Sequence, residues 1–192
     1  GFSKGKGGVF EGSTRVPSFW QWKGVFEAGR DISKLTAHFD FFPTFMELAG
    51  IKPVASTPKF EGRSLLPLFG DPQHKWADRY LYFNTGKWDP EDDVRDYKFK
   101  SAAIRNSKYR LIWYRDEEIL LNLEKDMTNL DNIAKNHPEI VKTMKAEYEN
   151  WWERVYPRAS KTLPPVVKQE WTKTFNHLRK PEVAPTYEVP AL

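Results

Sequence analysis

Gly5-Lys6-Gly7-Gly8-Val9-Phe10-Glu11-Gly12-Ser13-Thr14-Arg15-Val16-Pro17 sets a lysine between glycines, then an aromatic, a glutamate and an arginine ahead of a proline. Glycine lets the backbone take positive φ or come close to a ligand, so the lysine can sit on a tight exposed turn with its ammonium forward. On this reading Lys6 is a point charge able to hold a phosphate, a sulfate or a carboxylate, with Lys4 as its near competitor. A flexible basic turn near a terminus, with no ligand, is the plainer account of the same residues.

Working outward, residues 16–22 are aromatic-rich and short, which predicts a buried strand after the lysine turn. Asp40 as N-cap, Pro43 in the first turn and Gly50 as a stop frame a helix whose apolar stripe is Phe41, Phe42, Phe45, Leu48 and Ala49. His38 just before it reads as a capping or core histidine, since no second histidine lies at metal-ligand spacing. Residues 52–64 read as a surface loop. A β-rich run over 79–83 is followed by a loop containing Gly86, Lys87 and Trp88, then strands over 98–106 and 108–114 around Asn106-Ser107 and a third over 118–123. A helix over 138–155 covers this sheet with Ile140, Met144, Tyr148, Trp151, Trp152 and Val155 at helical spacing, and its paired tryptophans read as core. The proline-bearing stretch 157–192 reads as an extended tail with a short helix near 168–179, its His177 on the surface.

Several of these stretches together resemble the formylglycine-dependent type I sulfatases (arylsulfatases). The opening stretch is similar to their Gly-Lys-Gly-x-x-(Tyr/Phe)-Glu-Gly-(Gly)-x-Arg-x-Pro signature. The run from Asp40 to Gly50 resembles their Asp-x-x-Pro-Thr helix, and Glu61-Gly62-Arg63-Ser64-Leu65-Leu66-Pro67-Leu68 their Gly-x-Ser-Leu-x-Pro-Leu segment. Ala103-Ile104-Arg105 with Lys108-Tyr109-Arg110-Leu111-Ile112 resembles a family hairpin. The stretch from Leu121 through His137-Pro138-Glu139 resembles the run before the family's last helix. The likeness covers roughly residues 1–156. It implies an α/β, alkaline phosphatase-like fold, of which this chain is the C-terminal part: 1–75 closing the large α/β domain, 76–156 a small antiparallel sheet packed by a C-terminal helix, and 157–192 a tail.

The resemblance also implies a chemistry, sulfuric ester hydrolysis of aryl or carbohydrate sulfates. Lys6 matches the family lysine that contacts the sulfate and its bridging oxygen, while Glu11 and Arg15 match positions read as a structural brace. Ser13 stands where the family usually has a second glycine. The family nucleophile, a formylglycine made from Cys or Ser, and the calcium ligands lie in a part not matched here, for this chain has no cysteine and no Ser-x-Pro-x-Arg run. The N-terminal part of a sulfatase is thus the implied partner, and this chain alone is expected to be inactive. Lys87 and Trp88 are candidate substrate contacts, offering a cation and an aromatic face to a sulfated sugar or aryl group; Trp88 anchoring its loop on the core is the alternative. Family resemblance points to a periplasmic or secreted enzyme.

Composition sets limits. A net charge of +4 with 29% charged residues permits a polyanionic partner without demanding one, and the sequence holds neither a clustered basic run nor a nucleic-acid-binding motif. No stretch approaches the roughly 20 apolar residues of a membrane-spanning helix. A phosphodiesterase or phosphonate hydrolase of the alkaline phosphatase superfamily and a non-catalytic anion- or glycan-binding module are the competing readings.

Overall fold

A computed structural model describes residues 7–55, 57, 59–86, 88–89, 92–126, 128 and 131–158. Its centre is an antiparallel sheet in the order β1 (Leu81–Asn84), β2 (Ala102–Arg105), β3 (Tyr109–Tyr114) and β4 (Glu117–Asn122). Because side chains alternate along each strand, the register sorts them into two rows. Ile104, Leu111 and Leu120 lie opposite one another on one face; Ala103, Ile112 and Ile119 share the other. The β2–β3 turn forms where Asn106 was expected to place it, its side-chain oxygen accepting from the N–H groups of Lys108 (3.0 Å) and Tyr109 (2.7 Å). The β3–β4 turn puts Arg115 and Asp116 at φ of 51° and 63°, the left-handed pair that matches the twist of a tight hairpin. β2 is shorter than the sequence suggests, because residues 98–101 turn instead of extending: Lys98 ends the 3-10 turn of Val94–Tyr97 in helical conformation and Ser101 takes φ of 49°.

One face of the sheet is covered by the long helix of residues Pro138–Val155. Proline occupies its first turn, where no backbone N–H is needed, and Met144, Tyr148 and Trp152, four residues apart, are its buried row. They pack on Ala102, Ile104, Leu111, Trp113 and Leu120. Each such side chain contributes roughly 1.5–3 kcal/mol when fully buried. Tyr148 is wholly enclosed, its hydroxyl accepting from Asn84 Nδ2 at 3.3 Å, and burial pushes its phenol up to about 12. Trp152 is core, as expected, whereas Trp151 is half-buried and stacks flat on Tyr82 at 4.9 Å.

Residues 15–37 form no strand or helix. The strand expected over 16–22 is absent, and Phe19 is 92% exposed: a β-run needs a paired neighbour, and no described strand pairs with this stretch. The chain is held instead by Trp20 against Phe41 and Phe69, and by Arg30 donating to the carbonyls of Phe69 (3.1 Å) and Gly70 (3.3 Å).

The helix after Asp40 forms over Phe41–Leu48 and stops at Gly50, whose φ of 67° reverses the chain while Ile51 N–H bonds Met46 O. Its apolar stripe is not core: Phe42 and Phe45 are 58% and 54% exposed, and Thr44 is its buried residue. Asp40 also departs from expectation. Its carboxylate makes no bond to the helix N–H groups, accepting instead from Ala37 N–H (2.8 Å), Arg63 N–H (2.9 Å) and both terminal nitrogens of Arg79. Gly62 comes so close to this turn that an added Cβ would lie 2.1 Å from Phe39 O. Gly62→Ala is therefore expected to cost about 1–3 kcal/mol, as overpacking does. Thermal unfolding should show it as a loss of roughly 2–4 °C per kcal/mol for a chain this size.

Candidate functional site

The glycine-rich stretch is fixed to the sheet face opposite the long helix. Gly7 takes φ of 87°, and Val9, Phe10 and Glu11 that follow are buried. Val9 and Phe10 join Ala103, Ile112, Leu121 and Leu123, with Phe10 edge-on to Tyr114 at 5.4 Å. Glu11 begins a single helical turn, Glu11–Thr14. Two arginines of the sheet reach it. Arg105 Nη1 donates to Glu11 Oε1 at 2.8 Å, and Arg110 Nη1 donates to the same oxygen at 2.5 Å. Arg110 also gives Nε (2.9 Å) and Nη2 to the carbonyl of Val9, and its guanidinium lies 4.5 Å over the ring of Phe83. Burial pulls the Arg110 pKa down to about 10 against the opposing effect of Glu11, so the group remains charged at neutral pH.

The brace expected at Glu11 is thus present, and its sheet-side partners are Arg105 and Arg110, to which sequence reasoning assigned no role. The signal was available: two arginines standing at inward positions of an otherwise apolar hairpin.

Lys6 and Lys87, two of the three candidate contact residues, lie outside the described residues, as does His177. Trp88 is half-buried, packed against the core beneath the long helix and edge-on to Tyr97 at 6.1 Å. A cleft of about 630 Å³ runs between the two regions, with Gly8 and Val9 on one side and Gly86, Trp88, Trp151 and Tyr156 on the other. The structure therefore brings the end of the Gly-Lys-Gly stretch and the Gly86–Trp88 loop to one opening. The residues described as lining it carry no charge. Among the described residues no group of three or more His, Asp or Glu side chains could hold a metal ion, and His38 instead lies edge-on to Phe39.

A family model for the C-terminal part of N-sulphoglucosamine sulphohydrolase matches residues 4–154. The chain belongs to this sulfatase C-terminal family. The uncharacterized sulfatase YdeN of Escherichia coli (strain K12) is 30% identical over 208 residues, covering 94% of this chain and 35% of that protein. Human arylsulfatase D is 38% identical over 84 residues, 44% of this chain and 14% of the relative. The crystal structure of Ps i-CgsB superposes with a TM-score of 0.62 at 26% identity, over 91% of this chain and 35% of that one; the same protein has been solved in complex with k-i-k-neocarrahexaose. The sulfatase chain described here thus spans about a third or less of these relatives. Its small antiparallel sheet with a covering helix is the C-terminal part of the alkaline phosphatase-like sulfatase fold.

Proposed function

We propose that this chain is the C-terminal portion of a sulfuric ester hydrolase and supplies, through Lys6, the cation that meets the sulfate and its bridging oxygen. The observation that carries the reading is the clamp of Glu11 and the Val9 carbonyl on Arg105 and Arg110: a buried ion pair spent on holding the signature stretch beside a cleft. Sulfate transfer spreads negative charge over oxygens, and a fixed ammonium stabilises that charge best where it needs no reorganisation. Lys6 neutralises charge, Trp88 offers an aromatic face to the group behind the ester, and the clamp keeps the stretch in place. Formylglycine and calcium, supplied in this reading by the part of the enzyme outside this chain, would provide the nucleophile and the electrophilic hold on sulfate.

Within the same proposal, residues 1–75 close the large domain, 76–156 form the small one and 157–192 a tail, in an exported enzyme. A carbohydrate sulfate is favoured over a simple aryl sulfate by the likeness to Ps i-CgsB, solved with a neocarrahexaose, and by the aromatic cleft wall. Turnover of 4-nitrophenyl sulfate and bis(4-nitrophenyl) phosphate by the complete enzyme tests the reaction class. Faster sulfate hydrolysis is expected, and a large preference for the diester would replace this reading with a phosphodiesterase.

The N-terminal part is the proposed partner, and the exposed Val16, Phe19, Trp22, Phe42 and Phe45 mark where it covers this chain. Phe45→Asp should then cost this chain about 1 kcal/mol or less, the loss of one half-exposed ring contact with Trp20. In the complete enzyme the same change should cost on the order of 1.5–3 kcal/mol, the worth of a buried phenylalanine. Equal melting shifts in both contexts would place the contact elsewhere.

A further inference from the structure

Arg105 and Arg110 are direct cross-strand partners on β2 and β3, on the face where Ala103 and Ile112 are otherwise apolar. Like charges directly opposite one another destabilise a sheet. Here the opposition is relieved by Glu11, ninety-odd residues away in sequence, whose Oε1 accepts from both guanidinium groups. Stability alone does not call for this arrangement, since a buried ion pair of this kind is often matched or bettered by apolar residues of similar volume. What the ions provide and apolar residues would not is direction. A planar guanidinium offers several N–H donors in fixed geometry, and Arg110 uses them on two acceptors at once, the Val9 carbonyl and the Glu11 carboxylate. Its own side chain is wholly buried over Phe83, so the fork has no freedom to follow a shifting loop. Val9 is three residues from Lys6, a reach of at most about 11 Å of chain.

We propose that Arg110 is a positioning residue of the hydrolytic site: by fixing the Val9 carbonyl and Glu11 from the sheet, it anchors the stretch that follows Lys6 and acts on the reaction through that lysine. The assignment rests on the sulfatase reading and on Lys6 as its cation. Arg110 touches no substrate in this account; it acts through the lysine.

A double-mutant cycle in the complete enzyme separates this from a general contribution to the fold. Arg110→Lys keeps a buried cation but loses the fork, and kcat with 4-nitrophenyl sulfate should fall about tenfold or more, since a misplacement near 1 Å costs on the order of a hundredfold. KM should stay within about twofold. Made in the Lys6→Ala background, the same change should cost nothing further, because the group through which Arg110 acts is gone. Thermal melts of all four proteins report the folded fraction. An undiminished kcat in Arg110→Lys, or an equal loss with and without Lys6, would overturn the proposal. If Lys6→Ala itself keeps full kcat, the lysine assignment fails and this one with it. If Lys6→Ala is impaired and Arg110→Lys is not, only the present proposal fails. Should Arg110→Lys not fold, Glu11→Gln, which keeps the shape and one acceptor, carries the same cycle with the same expectations.

Discussion

Lys6→Ala in the complete enzyme is expected to lower kcat by about 10²–10³, the roughly 2.7–4 kcal/mol that a single fixed group contributes to an oxyanion in a desolvated site. The loss should depend on the leaving group. If Lys6 meets the bridging oxygen, it is needed most where that oxygen departs as a strongly basic alkoxide. A nitrophenolate carries its charge with less help. Sulfate esters of sugar hydroxyls should therefore show a larger loss than 4-nitrophenyl sulfate, measured as kcat under saturation for both. Equal losses would move Lys6 to the non-bridging oxygens, and full activity would remove it from the site. Lys6→Arg should recover little, because a guanidinium is a planar fork on a different stem where a compact charge is required.

The second large effect concerns stability. Asp40→Ala should destabilise the fold by about 3–5 kcal/mol, the usual consequence of stripping one partner from a buried ion pair. Asp40 is fully buried, and its removal strands the largely enclosed Arg79 guanidinium together with the N–H groups of Ala37 and Arg63. Denaturant melts at neutral pH measure the cost. The same carboxylate gives the fold an acid limit. Burial alone would raise its pKa, but hydrogen bonds from Arg79, Arg63 and Ala37 and the charge of Arg79 outweigh burial and hold it below its ordinary value. A depressed pKa contributes stability that is fully present above the unfolded value near 3.8 and is lost as pH falls through the folded one. Wild type should therefore lose stability below about pH 4 more steeply than Asp40→Asn, compared by melts from pH 6 to pH 2.

The sheet and the long helix were legible because each is written twice, once in hydrophobic period and once in punctuation. Met144, Tyr148 and Trp152 recur at the helical step behind Pro138, and Asn106 marks its hairpin. The N-terminal stretch misled for a physical reason. Period reports that a face wants cover, not whether the cover belongs to the same chain. The strand read at 16–22 therefore does not form, and Phe19 and Trp22 stand exposed together with Phe42 and Phe45 of the helix stripe. Asp40 misled differently: an aspartate before a helix looks like a cap, and its true partner, Arg79, lies 39 residues on, beyond any local pattern. At the site, Glu11 as a brace could be read from the signature, while the arginines that hold it showed only as two charges in an apolar hairpin, with nothing local to join them to a residue ninety-odd positions earlier. Trp88 turned out half-buried, sharing the work of loop anchor and cleft wall.

The clamp on the signature stretch has a consequence for biosynthesis. Its hydrogen bonds join residues 99 and 101 apart in sequence. At translation rates of about 5–20 residues per second, the ribosome makes the stretch around Lys6 some 5–20 s before it makes Arg110. The β2–β3 hairpin, by contrast, closes on the order of microseconds once its strands emerge. The signature must thus wait, undocked, for a sheet that assembles almost at once when it arrives. Nascent chains halted before residue 110 should leave this stretch open to protease, and chains halted well past β4 should protect it.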